Sequence, residues 1–432
     1  MMTIEQLYDC FLQYPVICTD TRNPIRDSLF FAMKGANFNG NAYARSAVEQ
    51  GCAYAFVDEP QYADGERILL VDDCLKALQD LARFHRRRLG TRIIGITGTN
   101  GKTTTKELVA TALGASYEVL YTQGNLNNHL GVPLTLLRLR PSHQIAVVEM
   151  GANHPGEIQT LVNIVEPDFG LITNVGKAHL EGFGSFEGVK KTKGELYDFL
   201  ALKGCLGFVN ADSADLMEMA RQRGLQLIPY GSAEGNYVEG RVTAADPYIT
   251  VACTCFDEQI EIPTRLIGTY NLPNVLAAVC VARYFDVPLK KVGAALQAYQ
   301  PSNNRSQLLK TAHNTLIVDA YNANPTSMAA ALANFTALSS PHKCVILGDM
   351  GELGADSEAE HRKVVELLSA AGYEQVILVG PKFKQADSNE QFQHYDTTDS
   401  LCEAMTASPL SGKTILIKGS NSMKLFTLPN LL

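Results

Sequence analysis

The segment Gly-Thr-Asn-Gly-Lys-Thr-Thr, residues 98–104, combines the residue types needed to hold a phosphate chain. Its two glycines can adopt the positive φ angles that let successive backbone N–H groups face one anion. Lys102 can reach the terminal phosphates, and the hydroxyl of Thr103 can coordinate Mg²⁺. Because a helical pattern starts at Lys102, the positive end of that helix would also face the anion. The segment therefore predicts a loop that binds the phosphates of a nucleotide.

The glycine spacing of this loop departs from the usual phosphate-loop pattern, which places a glycine five residues before the second loop glycine. Ile96 stands at that position, and the glycines fall at positions 95, 98 and 101. The alternative is a tight turn between a strand and a helix, with an exposed lysine. We favour the phosphate loop because a strand, the glycines, the Lys-Thr pair and a helix follow one another in the required order.

Three further side chains stand where a nucleotide site would need them. Glu149 ends the apolar run Ile-Ala-Val-Val-Glu, and a carboxylate there suits a second ligand of a phosphate-bound Mg²⁺. The alternative is a carboxylate that caps a helix or forms a salt bridge. His179 follows the next predicted strand among glycines, which suits either a ligand or a surface or core histidine. Lys193 belongs to the run Lys-Lys-Thr-Lys, which would also be ordinary on a solvated helix face.

The composition argues against several classes of function. The chain has 432 residues and a net charge of -8, and its most compact basic run is Arg86-Arg87-Arg88, so no nucleic-acid partner is expected. No run reaches the roughly 18 apolar residues of a membrane span, and the first residues do not resemble a signal peptide. Ten scattered cysteines without a Cys-x-x-Cys pair indicate reduced thiols. We therefore expect a cytoplasmic protein whose phosphate site is locally positive.

The elements that must position these residues alternate between strands and helices, as in a parallel sheet covered on both faces. The predicted strands are Ile93–Thr97, Glu118–Thr122, Ile145–Met150, Gly170–Asn174, Cys205–Asn210 and Leu225–Tyr230. The predicted helices are Lys102–Leu113, His129–Arg138, His154–Val162, Phe186–Leu200 and Ala214–Arg223. Ligands of such sheets bind beyond the carboxyl ends of the strands, where the loop, Glu149 and His179 lie in the sequence.

A period-two pattern in residues 236–268 then predicts an antiparallel insert. It is followed by predicted helices at Asn274–Phe285 and Leu289–Tyr299 and by a polar stretch from Pro301 that suits a linker. After the linker the predicted strands are Thr315–Asp319, Cys344–Gly348, Gln375–Val379 and Thr414–Lys418, and the predicted helices are Ser327–Leu338, Ser357–Ala371 and Asp399–Ala407. This part lacks Gly-x-Gly-x-x-Gly after its first strand, so no dinucleotide cofactor is expected there.

The predicted fold class is therefore α/β, with about three domains. Residues 1–88 would form a small α/β domain, with strands at 27–35, Ala53–Val57 and Ile68–Val71 and helices at Asn41–Gln50 and Asp73–Arg87. Residues 89–302 would form a central phosphate-loop domain with a doubly wound, mostly parallel sheet. Residues 303–432 would form a Rossmann-like domain.

Several motifs, in one order, resemble the Mur ligases, the ATP-dependent peptide ligases of bacterial peptidoglycan precursors. They are the loop at 98–104, Gly124-Asn-Leu-Asn-Asn128, Glu149-Met-Gly151, Asn174-Val-Gly-Lys-Ala-His-Leu-Glu-Gly-Phe-Gly-Ser185, Asp319-Ala-Tyr-Asn-Ala-Asn-Pro-Thr-Ser-Met328 and Gly348-Asp-Met-Gly-Glu-Leu-Gly354. The resemblance runs from Asp20 to the segment Lys418-Gly-Ser-Asn-Ser-Met-Lys, nearly the whole chain. Two positions depart from the family pattern: His129 replaces a more common acidic residue, and Asn421 replaces an arginine of many members.

The resemblance implies a monomeric ligase that joins D-alanyl-D-alanine to UDP-N-acetylmuramoyl-tripeptide, using ATP and Mg²⁺ and passing through an acyl phosphate. Residues 1–88 would bind the UDP-sugar, residues 89–302 ATP, and residues 303–432 the dipeptide. The alternatives are a sibling ligase that adds the third peptide residue and a folylpolyglutamate synthase. The Gly124–Asn128 and Asp319–Met328 segments argue against both. A protein that binds ATP without ligation is a third alternative, and the third peptide residue, diaminopimelate or lysine, is left open.

The resemblance also assigns roles to individual residues. The UDP end of the nucleotide sugar would be held by Thr19, Asp20, Thr21 and Arg22. The ATP phosphates would be bound by Gly98, Thr99, Asn100, Gly101, Lys102, Thr103 and Thr104, the γ-phosphate also by Arg305, the adenine by Asn271 and Asn274, and the ribose by Asp319. Metal ligands would be Thr103, Glu149 and His179, and Lys193 matches a lysine that can be carbamylated in the family. Substrate contacts would come from Asn127 and Asn128 and, near the dipeptide, from Asn322, Asn324 and Lys418. The catalytic groups would be Lys102, His179, Lys193 and Arg305.

Overall fold

The computed structural model describes residues 2–20, 22–301 and 305–432. Its α-helices are α1 (Ile4–Gln13), α2 (Ala44–Glu49), α3 (Cys74–Leu89), α4 (Lys102–Gly114), α5 (Gly131–Leu136), α6 (Glu157–Val165), α7 (Leu180–Phe183), α8 (Phe186–Lys203), α9 (Ala214–Gln222), α10 (Leu272–Tyr284), α11 (Leu289–Ala298), α12 (Pro325–Ala337), α13 (Ser357–Ala371), α14 (Pro381–Ala386) and α15 (Thr398–Ala407). In the part of the chain described, no helix is both long and apolar enough to cross a membrane.

The strands of the first half are β1 (Ile17–Cys18), β2 (Leu29–Phe31), β3 (Lys34–Gly35), β4 (Phe38–Asn39), β5 (Tyr54–Val57), β6 (Ile68–Leu70), β7 (Arg92–Thr97), β8 (Val119–Tyr121), β9 (Ile145–Glu149), β10 (Phe169–Ile172) and β11 (Leu206–Asn210). The remaining strands are β12 (Gln226–Gly231), β13 (Val238–Ala245), β14 (Tyr248–Cys255), β15 (Glu258–Ile267), β16 (Gln307–Lys310), β17 (Thr315–Asp319), β18 (Lys343–Gly348), β19 (Gln375–Val379), β20 (Gln393–Tyr395) and β21 (Thr414–Lys418).

Helix α3 illustrates the local signals that set these boundaries. The side chain of Asp73 accepts a hydrogen bond from the backbone N–H of Lys76 and so caps the first turn. At the other end, Gly90 has a φ of 65°, a left-handed conformation that glycine adopts readily and that ends a helix. Between the two caps, Leu78 and Leu81 lie one turn apart and are fully buried. The predicted helix is therefore confirmed, and it extends slightly further than expected.

The chain divides into two compact units, and the first comprises Met1–Gly95, Tyr117–Gly151 and Gln159–Asp168. It contains a parallel four-stranded sheet in the order β1–β2–β5–β6 and a hairpin of β3 and β4. The whole of β2 is buried because a parallel strand is covered on both faces. In the same unit β9 lies between β8 and the first four residues of β7, so Glu149 ends a buried strand next to the strand that leads into the phosphate loop.

The second unit comprises Ile96–Ser116, Ala152–Ile158 and Phe169–Leu432. Its first set of strands follows the order β10–β11–β12–β13–β14–β15, and the last residues of β7 lie beside β10, where the N–H of Thr173 donates to the carbonyl of Thr97. Pairing is parallel from β10 to β13 and antiparallel from β13 to β15. Alternate residues of β14 are buried, which confirms the antiparallel insert predicted for residues 236–268.

A second sheet of this unit has the order β16–β17–β21–β18–β19–β20 and is parallel except at β16. Successive residues of β18 alternate between two cores. Val345 and Leu347 pack with residues of α12 and α13, whereas Cys344 and Ile346 pack with residues of α15. Helices thus cover both faces, and the predicted α/β fold class with mostly parallel sheets is confirmed.

Several predicted elements are corrected by the structure. The strand expected at 27–35 ends at Phe31 and is followed by the hairpin of β3 and β4. The helix expected at His129–Arg138 shortens to α5 because the side chain of Asn128 accepts hydrogen bonds from Leu130 and Gly131 in a turn. Helix α1, helix α14 and the edge strands β16 and β20 were not predicted. The division into three domains stays a prediction, and its boundary at 302–303 falls outside the described residues.

Candidate functional site

The predicted phosphate loop is a turn between β7 and α4 that requires glycine at two positions. Gly98 has a φ of 141° and Gly101 a φ of 79°, both in the range that side chains avoid. A Cβ atom on Gly98 would lie 2.0 Å from Oγ1 of Thr173, and one on Gly101 would lie 2.9 Å from Oδ1 of Asn274. The loop can therefore pass close to its neighbours only with these residues.

Hydrogen bonds hold one side of the loop against the segment that follows β10. The N–H groups of Thr99 and Asn100 donate to the carbonyl and to Oδ1 of Asn174, both at 2.9 Å. The ammonium of Lys102 donates to the carbonyl oxygens of Gly98 and Thr99, at 2.7 and 2.9 Å. Its charge therefore lies over the loop, where a bound anion would meet it. Thr103 is buried in the first turn of α4, and Thr104 is half-buried beside it.

The other side of the loop contacts the segment predicted to lie near the dipeptide. Nδ2 of Asn324 donates to Oδ1 of Asn100 at 2.7 Å, and a weaker bond of 3.4 Å runs in the reverse direction. Asn322, two residues earlier, is exposed, and its side-chain oxygen accepts from the adjacent N–H of Ala323 at 2.9 Å. The structure therefore brings a predicted phosphate-binding residue and a predicted substrate residue together.

The two asparagines predicted to lie against adenine form hydrogen bonds beside the start of α4. Nδ2 of Asn274 donates to Oδ1 of Asn271 at 2.8 Å, and Nδ2 of Asn271 donates to the carbonyl of Ile267. Oδ1 of Asn274 accepts from the hydroxyl of Thr105 at 3.0 Å. Both asparagines are buried, so these amides fix α10 against α4. Their contact with a base stays a prediction.

His179 has a backbone conformation typical of a functional position. Its φ of 51° and ψ of 37° are left-handed, a strained state for a residue other than glycine, at the start of α7. The carboxylate of Glu352, in the Gly348–Gly354 segment, lies against its Nδ1 atom. Burial lowers the pKa of His179, Glu352 acts against that, and the charges of Lys102 and Lys193 lower the pKa further. Lys102, His179 and Lys193 therefore lie close enough together that the positive charge of one opposes protonation of the others.

Lys193 is buried, so the alternative of a solvated helix face is wrong. Its side chain is 1% exposed, and its Nζ donates to the carbonyl of Ala152 at 3.1 Å. The ring of Phe183 lies 5.2 Å from the ammonium. Burial, with the nearby charge of Lys102, lowers the pKa of Lys193 well below 10.5. This environment therefore favours the uncharged amine form of Lys193 over the ammonium.

Glu149 belongs to the first unit, where a network of short contacts orients its carboxylate. Nδ2 of Asn127 donates to Oε1 of Glu149 at 2.8 Å, and the N–H of Glu149 donates to the hydroxyl of Thr122. Asn127 also accepts from the N–H of Gly151 at 2.7 Å through its carbonyl. Asn127 therefore positions the carboxylate, while Asn128 caps the turn before α5. Direct substrate contacts of both asparagines stay predictions.

The segment predicted to hold the UDP group lies after β1 in the same unit. The Asp20 carboxylate accepts from Nε and Nη2 of Arg22, each at 2.9 Å, and from the N–H of Arg22. These bonds lower the pKa of Asp20 to about 2. Thr19 is half-buried next to them, and Thr21 lies outside the described residues. The side chain of Arg22 is 85% exposed, so it can contact a ligand from solvent.

Arg305, predicted for the γ-phosphate, lies two residues before β16, and Asp319, predicted for the ribose, is the last residue of β17. The guanidinium of Arg305 stacks 3.8 Å from the centre of the Tyr321 ring. Its Nε is buried, and no hydrogen-bond partner is found for it among the residues described. Asp319 accepts from the N–H of Ser306 at 3.2 Å and from Nζ of Lys418 at 2.6 Å. A guanidinium with an unused donor is suited to an anion.

Each unit contains one of the oxygen groups predicted to bind Mg²⁺. Thr103 and Glu149 offer oxygen ligands and both are buried, the chemistry that Mg²⁺ prefers. In the described ranges no group of three or more His, Cys, Asp or Glu side chains forms a metal centre. Such a pattern fits Mg²⁺ held by one or two side chains together with nucleotide phosphates and water.

Two functional candidates were missed in the sequence, Glu352 and Asp349. Glu352 contacts His179, and Asp349 accepts from the N–H groups of Lys382 and Phe383, both at 3.0 Å. The carbonyl of Asp349 also accepts from Oγ of Ser420 at 2.6 Å, which ties the Gly348–Gly354 segment to the loop after Lys418. Both follow the carboxyl end of β18, a position that could have identified them.

Comparison with known proteins identifies relatives over nearly the whole chain. Residues 96–282 match the Mur ligase middle domain, and residues 304–421 match the Mur ligase glutamate ligase domain. UDP-N-acetylmuramoyl-tripeptide--D-alanyl-D-alanine ligase of Escherichia coli is 35% identical, over 98% of this chain and 96% of the relative. The enzyme of that name from Bacillus subtilis is 34% identical, over 95% and 91%. A crystal structure of MurF from Acinetobacter baumannii superimposes with a TM-score of 0.88 and 30% identity, covering 99% of this chain and 98% of that one.

Proposed function

The chain belongs to the Mur ligase family, and we propose that it joins D-alanyl-D-alanine to UDP-N-acetylmuramoyl-tripeptide with consumption of ATP. The proposal rests on the full-length similarity to the UDP-N-acetylmuramoyl-tripeptide--D-alanyl-D-alanine ligases of Escherichia coli and Bacillus subtilis. The product would be UDP-N-acetylmuramoyl-pentapeptide, with ADP and phosphate. A reaction of this kind needs activation, because a carboxylate oxygen is a poor leaving group for an attacking amine.

In the first step the tripeptide carboxylate attacks the γ-phosphate of ATP and forms an acyl phosphate. The approach of two anions is unfavourable, so positive groups must offset their repulsion. The ammonium of Lys102 and the unused Nε donor of Arg305 support this role. The loop is already held in shape by Asn174, so little ordering would be required when the phosphates bind.

Mg²⁺ would supply a further positive charge on the phosphates and so favour the transfer. We propose Thr103 and Glu149 as its oxygen ligands and His179 as a ligand of a second ion. Asn127 holds the carboxylate of Glu149 in one orientation, which supports this assignment. In its uncharged form, which the lowered pKa favours, the amine of Lys193 could take up CO₂ to become a carbamate, with release of a proton, and would then add negative charge beside the metal.

In the second step the amine of D-alanyl-D-alanine attacks the acyl phosphate carbon, and phosphate leaves. Exposed Asn322, next to the phosphate loop through Asn324, is a suitable contact for this substrate. Arg22 and its neighbours would hold the UDP group. Water would hydrolyse the acyl phosphate, so the reacting groups must be enclosed. We propose the cytoplasm as the compartment, consistent with ten free cysteines.

Phosphate release, coupled to a colorimetric reaction, tests the proposal. The enzyme receives ATP, Mg²⁺ and UDP-N-acetylmuramoyl-tripeptide, with and without D-alanyl-D-alanine, and the product mass is measured. We expect release that depends on the dipeptide and a product heavier by one dipeptide less one water. L-alanyl-L-alanine is the matched control, and it should be inactive.

The alternatives predict different results in the same assay. A ligase that adds the third residue would instead use UDP-N-acetylmuramoyl-dipeptide and a diamino acid. A folylpolyglutamate synthase would require a folate and glutamate. A protein that only binds ATP would release no phosphate in response to any amine. Phosphate release that never depends on D-alanyl-D-alanine would overturn the proposed function.

A further inference from the structure

The backbone groups of Asn100 form hydrogen bonds on one side of the phosphate loop, and its side chain forms a hydrogen bond on the opposite side. Its N–H donates to Oδ1 of Asn174 at 2.9 Å. Its carbonyl accepts from Oγ1 of Thr173 at 2.6 Å and from Nδ2 of Asn174 at 3.0 Å. The carboxamide of Asn100 meets that of Asn324, 224 positions further along the chain. This amide pair joins the loop to the Asp319–Met328 segment.

Helix α12 sets the orientation of the Asn324 carboxamide. Oδ1 of Asn324 accepts from the N–H of Ser327 at 2.9 Å, and the hydroxyl of Ser327 accepts from the N–H of Asn324 at 3.1 Å, a reciprocal cap. Because Oδ1 faces the helix N–H group, the NH₂ end of the carboxamide must face Asn100. The helix cap therefore aims a donor at the loop.

Asn324 and Asn322 differ in whether their carboxamide groups are available to a ligand. Asn324 is 7% exposed, and its carboxamide is occupied by Asn100 and Ser327. Asn322 is exposed, and its carboxamide bonds to the N–H of the adjacent Ala323. An incoming dipeptide can reach the second of these side chains far more easily than the first.

We propose that Asn324 is a positioning residue of the ATP phosphate loop, acting through Asn100, and that recognition of the dipeptide falls to neighbours such as Asn322. The inference rests on the proposed function, because it assigns Asn324 to the ATP step. Without Asn324 the side of the loop opposite Asn174 loses a constraint, and bound nucleotide must restore the order.

The variant Asn324→Ser tests whether Asn324 positions the phosphate loop or contacts the dipeptide. Serine caps a helix about as well as asparagine, so α12 should form, but its side chain is too short to reach Asn100. We expect the Kd of a non-hydrolysable ATP analogue with Mg²⁺, measured by calorimetry without other substrates, to rise about 5- to 30-fold. KM for ATP should rise with it, whereas KM for D-alanyl-D-alanine should change by less than about 2-fold. Asn322→Ser should show the reverse pattern.

A double-mutant cycle shows whether Asn324 acts through Asn100. In Asn100→Ala the bond is already absent, so adding Asn324→Ser should weaken nucleotide binding by less than a further factor of about 2. Asn389→Ser, in an exposed turn, is the control for the substitution itself, and thermal melting checks that each variant is folded.

Two results would overturn the inference. One is an Asn324→Ser variant with wild-type nucleotide affinity and a raised KM for the dipeptide. The other is full additivity of the two substitutions in the cycle. Failure of the wild-type chain to bind the nucleotide analogue at all would instead overturn the proposed function, so the two failures are distinguishable.

Discussion

The ammonium of Lys418 lies 2.6 Å from the carboxylate of Asp319 and also donates to the carbonyl of Asn322 at 3.2 Å. The lysine side chain is 2% exposed, whereas that of Asp319 is 19% exposed. The buried ammonium of Lys418 therefore bonds to both ends of the turn that runs from Asp319, the predicted ribose contact, to Asn322, a predicted dipeptide contact. Lys418 reaches the dipeptide segment through Asn322, and its direct contact with a substrate stays a prediction.

Replacement of this cation should disturb both the fold and the site. In Lys418→Met the carboxylate of Asp319 loses its charged partner, which costs roughly 1–3 kcal/mol. We expect a lower Tm and higher KM values for both ATP and D-alanyl-D-alanine. Lys384→Met is the matched control, because Nζ of Lys384 lies 3.0 Å from Asp396 but both side chains are largely exposed. Equal melting temperatures for the two variants would contradict the assigned role.

Lys102→Ala should abolish most turnover with little change in fold. The Lys102 ammonium bonds to loop carbonyls and faces the predicted phosphates, so its loss removes charge that the phosphoryl transfer requires. We expect kcat to fall by about 10²- to 10³-fold or more. Steady-state phosphate release and far-UV circular dichroism test this together. Lys191→Ala, exposed on α8, should behave as the wild type. A folded Lys102→Ala variant with near-normal kcat would contradict the prediction.

The buried amine of Lys193 should give the fold a characteristic pH dependence. Burial lowers the pKa of Lys193 in the folded chain, whereas the unfolded chain regains a value near 10.5. Between these two pKa values the unfolded chain binds more protons, so this group destabilises the fold at neutral pH and stability rises as pH approaches 10.5. Lys193→Met should therefore raise Tm at pH 7 and lose this advantage toward pH 10, in CO₂-free buffer.

The control for this measurement is Lys191→Met, at an exposed position of the same helix. Its difference in Tm from the wild type should not change between pH 7 and pH 10. The Lys193→Met variant should also be nearly inactive, because it can neither carry charge nor take up CO₂. A difference in Tm between Lys193→Met and the wild type that stays constant from pH 7 to pH 10 would show that the amine is charged in the fold.

His85 should make the first unit sensitive to acid. Its Nε2 donates to the carbonyl of Leu139 at 3.0 Å, and its Nδ1 lies 3.2 Å from the hydroxyl of Tyr8, which can donate to it when the ring is neutral. Burial lowers the pKa of His85 below 6.5. Its contribution to stability is thus present above pH 6.5 and is lost as pH falls below that value.

The test is urea unfolding of His85→Phe and of the wild type between pH 7 and pH 5. The variant should be less stable at pH 7, where it lacks two hydrogen bonds, by about 1–3 kcal/mol. The difference in the free energy of unfolding between the wild type and His85→Phe should become smaller toward pH 5, because only the wild type must protonate a buried ring. His313→Phe, at an exposed position, is the control. Parallel stability curves for wild type and His85→Phe would contradict the prediction.

Local structure was largely determined by the sequence. The phosphate loop, its flanking β7 and α4, and strands such as β17, β19 and β21 follow from apolar runs, caps and glycines that act within a few residues. Where a prediction was wrong, as at α5, a side-chain turn at Asn128 competed with the helical pattern.

The partners of the site residues were decided only by the tertiary structure. Asn100 with Asn324, Lys418 with Asp319 and His179 with Glu352 join segments far apart in the chain. Nothing in the local pattern of one segment specifies which side chain from another will lie within hydrogen-bonding distance, because that depends on how sheets and helices pack. For the same reason burial, and with it the lowered pKa of Lys193, could not be read from a lysine-rich stretch that suggested a solvated face.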